Sequence, residues 1–142
     1  MKRAHIVAAV LALYLLAASW HAAEGAADGF TAFREAAHDA SLRAEIARIA
    51  GRALEAVVSR GDVPLPPKPH HAALRHSVGV FVTLVEEGQV RGCMGALEPV
   101  ESDASADITR ASVLAATEDS RYPALRPSEL SRVVPVVSIV GP

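Results

Sequence analysis

Arg91-Gly92-Cys93-Met94-Gly95 is the stretch of this sequence best equipped for chemistry. A thiolate beside positive charge is stabilised and becomes nucleophilic, and Arg91 stands two residues from Cys93. On a strand those two side chains share one face, while Gly92 and Gly95 admit the close approach of another backbone or a substrate. Cys93 is therefore the candidate catalytic nucleophile or redox thiol, and Arg91, Gly92, Met94 and Gly95 are candidates for lining a binding cleft. The alternative is a small apolar side chain packed in a hairpin whose glycines only bend the strand.

A cysteine nucleophile needs a base, and His70, His71 and His76 precede the strand. They follow no cysteine-hydrolase pattern, and Cys93 is the one further soft ligand, so solvated loop histidines are expected rather than a metal site. Glu98, Glu118, Asp119 and Arg121 would join Arg91 around a cleft if the hairpin end and a helix end converge. The competing expectation is an ion-paired loop that locks the helix onto the sheet. No phosphate-cradling glycine loop, Ser-His-Asp order or CxxC pair is present, so no cofactor is expected. Cys93 is the single cysteine, which excludes an intramolecular disulfide.

The elements that must position these residues follow from periodicity. Over residues 41–60, Leu42, Ile46, Ile49, Ala53, Leu54, Val57 and Val58 recur at spacings of three and four, which predicts an amphipathic helix ended by Gly61. Residues 30–38 carry only a weak helical signal. Residues 62–69 hold Pro64, Pro66, Pro67 and Pro69 and predict an extended connector wrapped on the surface. The β-branched run at 78–85, the Glu86-Glu87-Gly88-Gln89 turn and residues 90–95 predict a hairpin. Ser102 is the expected cap of a helix over 103–117, with Ile108, Ala111, Ser112 and Ala115 on one side. Val133 to Val140 reads as a last strand, and Pro135 places it at an edge or a bulge. The fold class is α+β, an antiparallel sheet covered on one face by helices.

With 142 residues the chain has room for one domain. Aromatic residues are only 4% of it, so the core must be built from small and β-branched side chains. The amino end reads Met1-Lys2-Arg3, an apolar run from Ile6 to Ala18, then small residues through Ala27, the order of a secretory signal. The run is short for a membrane span, and cleavage after Gly25 or Ala27 is expected; an uncleaved anchor helix is the alternative. These features divide the chain into a signal at 1–25, a linker at 26–40 and a domain at 41–142, in a periplasmic or extracellular location. The formal charge of −2 becomes −3 once Lys2, Arg3 and Glu24 leave with the signal, which gives no basic face for nucleic acid.

Taken in order, Ala50-Gly51-Arg52-Ala53-Leu54, Gly79-Val80-Phe81-Val82-Thr83-Leu84, Arg91-Gly92-Cys93-Met94-Gly95, Leu97-Glu98-Pro99, Glu118-Asp119-Ser120-Arg121-Tyr122-Pro123 and Val136-Val137-Ser138-Ile139 resemble the AMME-chromosomal-region family, the first component of the AmmeMemoRadiSam system. The resemblance implies an antiparallel sheet with flanking helices and a domain that continues beyond residue 142, so that this chain reads as a partial domain. It implies a Memo-type protein or a radical enzyme as partner, and no particular reaction. Two departures, the export signal and the early end, leave three readings. The first is an accessory or binding module for a protein or small molecule, using the cleft around residues 91–95, with Glu98, Glu118 and Arg121 contributing. The second is an enzyme working through Cys93, and the third a degenerate remnant. The uncharged, valine-rich last strand further predicts self-association through its edge.

Overall fold

The computed structural model describes residue 25 and residues 27–141. Nearly all of the leader expected over 1–25 lies outside the described residues. Among the described residues no helix is long and apolar enough to cross a membrane.

Residues 27–35 form a helix, α1, where a linker was expected. The correction has a tertiary cause: Phe33 is only 6% exposed within the core, and the Phe30 ring lies against Gly141. A helix held by a few such contacts need not show a full apolar stripe.

Asp39 caps α2 (Ala40–Glu55), its carboxylate accepting the Ser41 N–H at 2.7 Å. Leu42, Ile49, Ala50, Ala53 and Leu54 make the buried stripe that the three-and-four spacing predicts. The helix widens into a π-helical turn, Ala56–Arg60, and Gly61 ends it in the left-handed region at φ 71°. Residues 61–70 have no regular structure. This connector is pinned to the domain, because the Ser105 hydroxyl donates to the Pro67 carbonyl at 2.8 Å. Its far end is held by Glu45, whose two carboxylate oxygens accept the His70 and His71 N–H groups at 2.8 and 2.9 Å.

Strands β1 (Gly79–Glu86) and β2 (Gln89–Ala96) form the expected hairpin. Glu87 and Gly88 turn it with φ of 51° and 78°, the paired left-handed conformation whose twist matches flanking strands. The last strand, β3 (Val133–Val140), pairs antiparallel with the other side of β1, giving the order β2-β1-β3. Pro135 thus occupies an edge strand, as its missing N–H requires.

Helix α3 (Ala104–Thr117) covers one face of the sheet. There Val80, Val82 and Leu84 are no more than 1% exposed and meet Ile108, Ala111 and Ala115, which are at most 4% exposed. The opposite face carries Phe81, Thr83, Val85, Cys93 and Gly95, all half-buried, beside the exposed Val134 and Val136. No helix among the described residues covers it.

The cap of α3 is Asp103 and not Ser102. Asp103 is extended, at φ −155° and ψ 164°, and its carboxylate accepts the Ala106 N–H at 2.9 Å. Ser102 instead offers its carbonyl to the Ser77 hydroxyl. Replacing Asp103 with alanine should therefore cost about 1 kcal/mol in a thermal melt. Ser102→Ala should change stability by less than about 0.5 kcal/mol. The reverse ranking would reassign the cap.

Candidate functional site

The register of the hairpin slips beside the chemistry-bearing residues. Leu84 faces Gly92, but Val85 faces Val90, so Arg91 is the extra residue of a β-bulge. Bulges re-aim side chains. Arg91 leaves the ladder and its guanidinium binds Glu129, with Nε to Oε1 at 2.8 Å and Nη2 to Oε2 at 3.2 Å. Its Nη1 also donates to the Pro123 carbonyl at 2.9 Å. Glu129 lies in the short 3-10 turn Pro127–Glu129 and its carboxylate accepts the Arg126 N–H at 2.8 Å. Chiefly through the Arg91 bond, and then that N–H, the Glu129 carboxyl is held down at about 2 from the usual 4.5.

Cys93 keeps its place opposite Thr83, and its Sγ is 3.2 Å from the Thr83 hydroxyl oxygen. Its backbone points outward from β2 and meets a second ion pair. The Cys93 N–H donates to Asp119 Oδ2 at 2.8 Å, and the Cys93 carbonyl accepts from Arg121 Nη2 at 3.1 Å. Asp119 and Arg121 bond each other at 2.8 Å. Together they stand in for a neighbouring strand at this edge. The Arg121 guanidinium, with the Cys93 N–H, pushes the Asp119 carboxyl far below the carboxylate range.

Gly92 faces α3, where a side chain would run into the Ala115 carbonyl oxygen. Gly95 faces the other way and lies under Phe81. Met94 packs against the core. Glu98 and Glu118 are exposed. Of the residues expected to surround a cleft, the fold brings Arg91, Cys93, Asp119 and Arg121 to the junction of β2 with the loop after α3. Their charged groups are spent on one another, on Glu129 and on backbone, which is the arrangement of a locked loop. Glu98 and Glu118 do not join the ion pairs of this junction.

The histidines are not free loop groups throughout. The His71 ring accepts the Ala73 N–H through Nδ1 at 3.2 Å, and its Nε2 lies 3.3 Å from Asp39 Oδ2. Among the described residues, no three His, Cys, Asp or Glu side chains converge to hold a metal ion.

Three buried acids were missed by sequence reasoning: Asp107, which is 1% exposed and accepts the Val100 and Glu101 N–H groups, and Glu129 and Glu45. Glu129 is 4% exposed, and its one local signal is the Pro127-Ser128-Glu129 pattern of a capped turn. Glu45 is 8% exposed and sits within the apolar stripe of α2, where an acid between Leu42 and Ile49 calls for a partner. Burial opposes its charge, but the His70 and His71 N–H groups and the charges of His70 and Arg48 outweigh this and leave its pKa lowered.

A groove of about 590 Å³ opens elsewhere, between the proline connector and the outer side of α3. A smaller hollow of about 390 Å³ lies across the connector, against α2. Neither is lined by residues 91–95.

A protein of Thermofilum pendens is 38% identical over 105 residues, which cover 67% of this chain and 49% of that one. One of Thermotoga maritima is 34% identical over 93 residues, covering 64% and 53%. The solved structure of uncharacterized protein PH0010 from Pyrococcus horikoshii matches with a TM-score of 0.60 at 30% identity, over 66% of this chain and 48% of that one. The chain spans about half the length of the curated relatives it matches. A model of the AMMECR1 family matches residues 47–142, from the middle of α2 through the hairpin, α3 and β3, and the chain belongs to that family.

Proposed function

We propose that this AMMECR1 domain is a binding module and not an enzyme, and that it offers a protein partner the uncovered sheet face around Phe81, Thr83 and Cys93. The observation that carries the reading is the fate of the polar groups on residues 91–95. Arg91 is held by Glu129 and the Pro123 carbonyl, and the Cys93 backbone by Asp119 and Arg121. The thiol itself has a hydroxyl for a neighbour and no imidazole or carboxylate in hydrogen-bond contact among the described residues. A cysteine nucleophile without an adjacent base or an unspent cation lacks activation. A half-apolar sheet surface with a rigid backbone suits recognition instead. The partner class is the Memo-type protein or radical enzyme that the family association implies. The Lys2-Arg3 start and the apolar run after it support delivery outside the cytoplasm.

Thiol alkylation tests the reading. Iodoacetamide at pH 7 should modify Cys93 in the folded protein no faster than in the urea-unfolded chain. A folded-state rate ten or more times higher would mean an activated thiol and would return the enzyme reading.

A further inference from the structure

The groove beside α3 has the shape and lining of a ligand site remote from residues 91–95. More than half of its lining is apolar, with Val57 from the π-helical turn, Val63, Pro64 and Pro66 from the connector, and Val113 and Leu114 from α3. Its volume of about 590 Å³ falls within the range of small-molecule pockets. The connector wall is preformed, since proline rings fix its backbone and Ser105 anchors it at Pro67. A wall that need not be ordered on binding costs a ligand little. Val63 stays 77% exposed although it lines the groove, which leaves apolar surface for an occupant to cover.

The charges along this groove are unequal. Glu101, Arg110 and Glu118 line it. Arg110 is already committed to Asp107, at 3.2 Å, and Asp107 is 1% exposed. Glu101 is 3.9 Å from that same guanidinium, a loose second partner for a cation whose charge is already met. Glu118 has no cation within ion-pair distance among the described residues and lies at the carboxy end of α3, whose last turn contains no basic residue. The helix dipole is negative at that end, so it adds to the Glu118 charge instead of offsetting it. One end of the groove therefore carries a carboxylate with no ion-pair partner among the described residues.

We infer that this groove binds a small amphipathic organic cation, with its apolar body between the proline connector and Val113 and Leu114 and its ammonium group against Glu118. Three indoles of nearly equal shape separate charge from apolar contact: tryptamine is cationic, tryptophol neutral and indole-3-propionate anionic. In NMR titrations of the purified protein, tryptamine should shift resonances of residues 57, 63–66 and 110–118. It should bind at least fivefold more tightly than tryptophol, with indole-3-propionate weakest. Glu118→Gln, an exposed change, should bring tryptamine to the tryptophol affinity while leaving amide dispersion intact. The tryptamine advantage should also shrink with added salt. Equal binding of tryptamine and tryptophol, shifts confined to other surfaces, or no saturable binding by any of the three would overturn the inference. Because the readout is at the groove and not at Cys93, its failure is independent of the alkylation result.

Discussion

Valine at position 92 is expected to cost the domain about 3 kcal/mol, close to the upper end of what overpacking does. Gly92 sits where β2 passes beneath α3, and any Cβ there collides with the Ala115 carbonyl oxygen, with Leu84 close behind it. A helix carbonyl cannot rotate aside like a side-chain tip, so the strand and helix must part. Separation would open the contacts among Leu84, Ala111 and Ala115, each at most 4% exposed. The core of small side chains has little with which to refill that space. Cys93→Ser should be much milder, about 1 kcal/mol, because the site is half-buried and a serine hydroxyl can still meet Thr83. Urea melts of the two variants decide the order. A greater loss for Cys93→Ser would show the thiol to be core packing and would remove it from any surface role.

Arg91→Ala should be the comparably damaging charge change, again by about 3 kcal/mol, because it strands a buried acid. The Arg91 and Glu129 side chains are 14% and 6% exposed, and the remaining cation near Glu129, that of Arg126, is 77% exposed. The expected pH dependence distinguishes this from lost packing. Glu129 titrates at about 2 in the folded protein against an ordinary value of 4.5. A depressed carboxyl contributes stability that is complete above its unfolded value and disappears as pH falls through the folded one. The gap in stability between wild type and Arg91→Ala should thus be widest above pH 4.5 and close toward pH 2. A gap that stays constant from pH 7 to about 2 would assign the effect to the arginine's packed stem instead.

Elements with a dense local pattern were legible in the sequence. Val133–Val140 is β-branched and uncharged, and its bounds match the observed strand. Gly61 and the Glu87-Gly88 pair mark chain reversals because the left-handed backbone they adopt is a local property. The strand order and the helix-covered face follow from packing, which periodicity announces only in part. Three features were out of reach for one reason, that their cause lies far along the chain. Helix α1 exists through Phe33 in a core built mostly by later residues. The bulge that re-aims Arg91 leads to Glu129, 38 residues on. The convergence of Arg91, Asp119 and Arg121 was expected, and so, as the competing outcome, was their pairing into a locked loop; what no local rule announces is that Asp119 reaches the Cys93 N–H, 26 residues back.

The two borders of the sheet are unlike, and this limits how the domain could assemble. On the β2 side, Asp119 and Arg121 already occupy the outward N–H and carbonyl of Cys93. On the β3 side, no described residue hydrogen-bonds to the outer backbone, and Val134 and Val136 are 61% and 47% exposed. Strand addition along β2 is therefore blocked at Cys93, while the outer backbone of β3 is unoccupied among the described residues. A filament needs two dissimilar surfaces on each copy, so that every arrival presents a fresh site. Here a second copy laid antiparallel along β3 would consume the β3 border of both partners. Growth by this route is isologous and terminates at a pair instead of extending into a fibre.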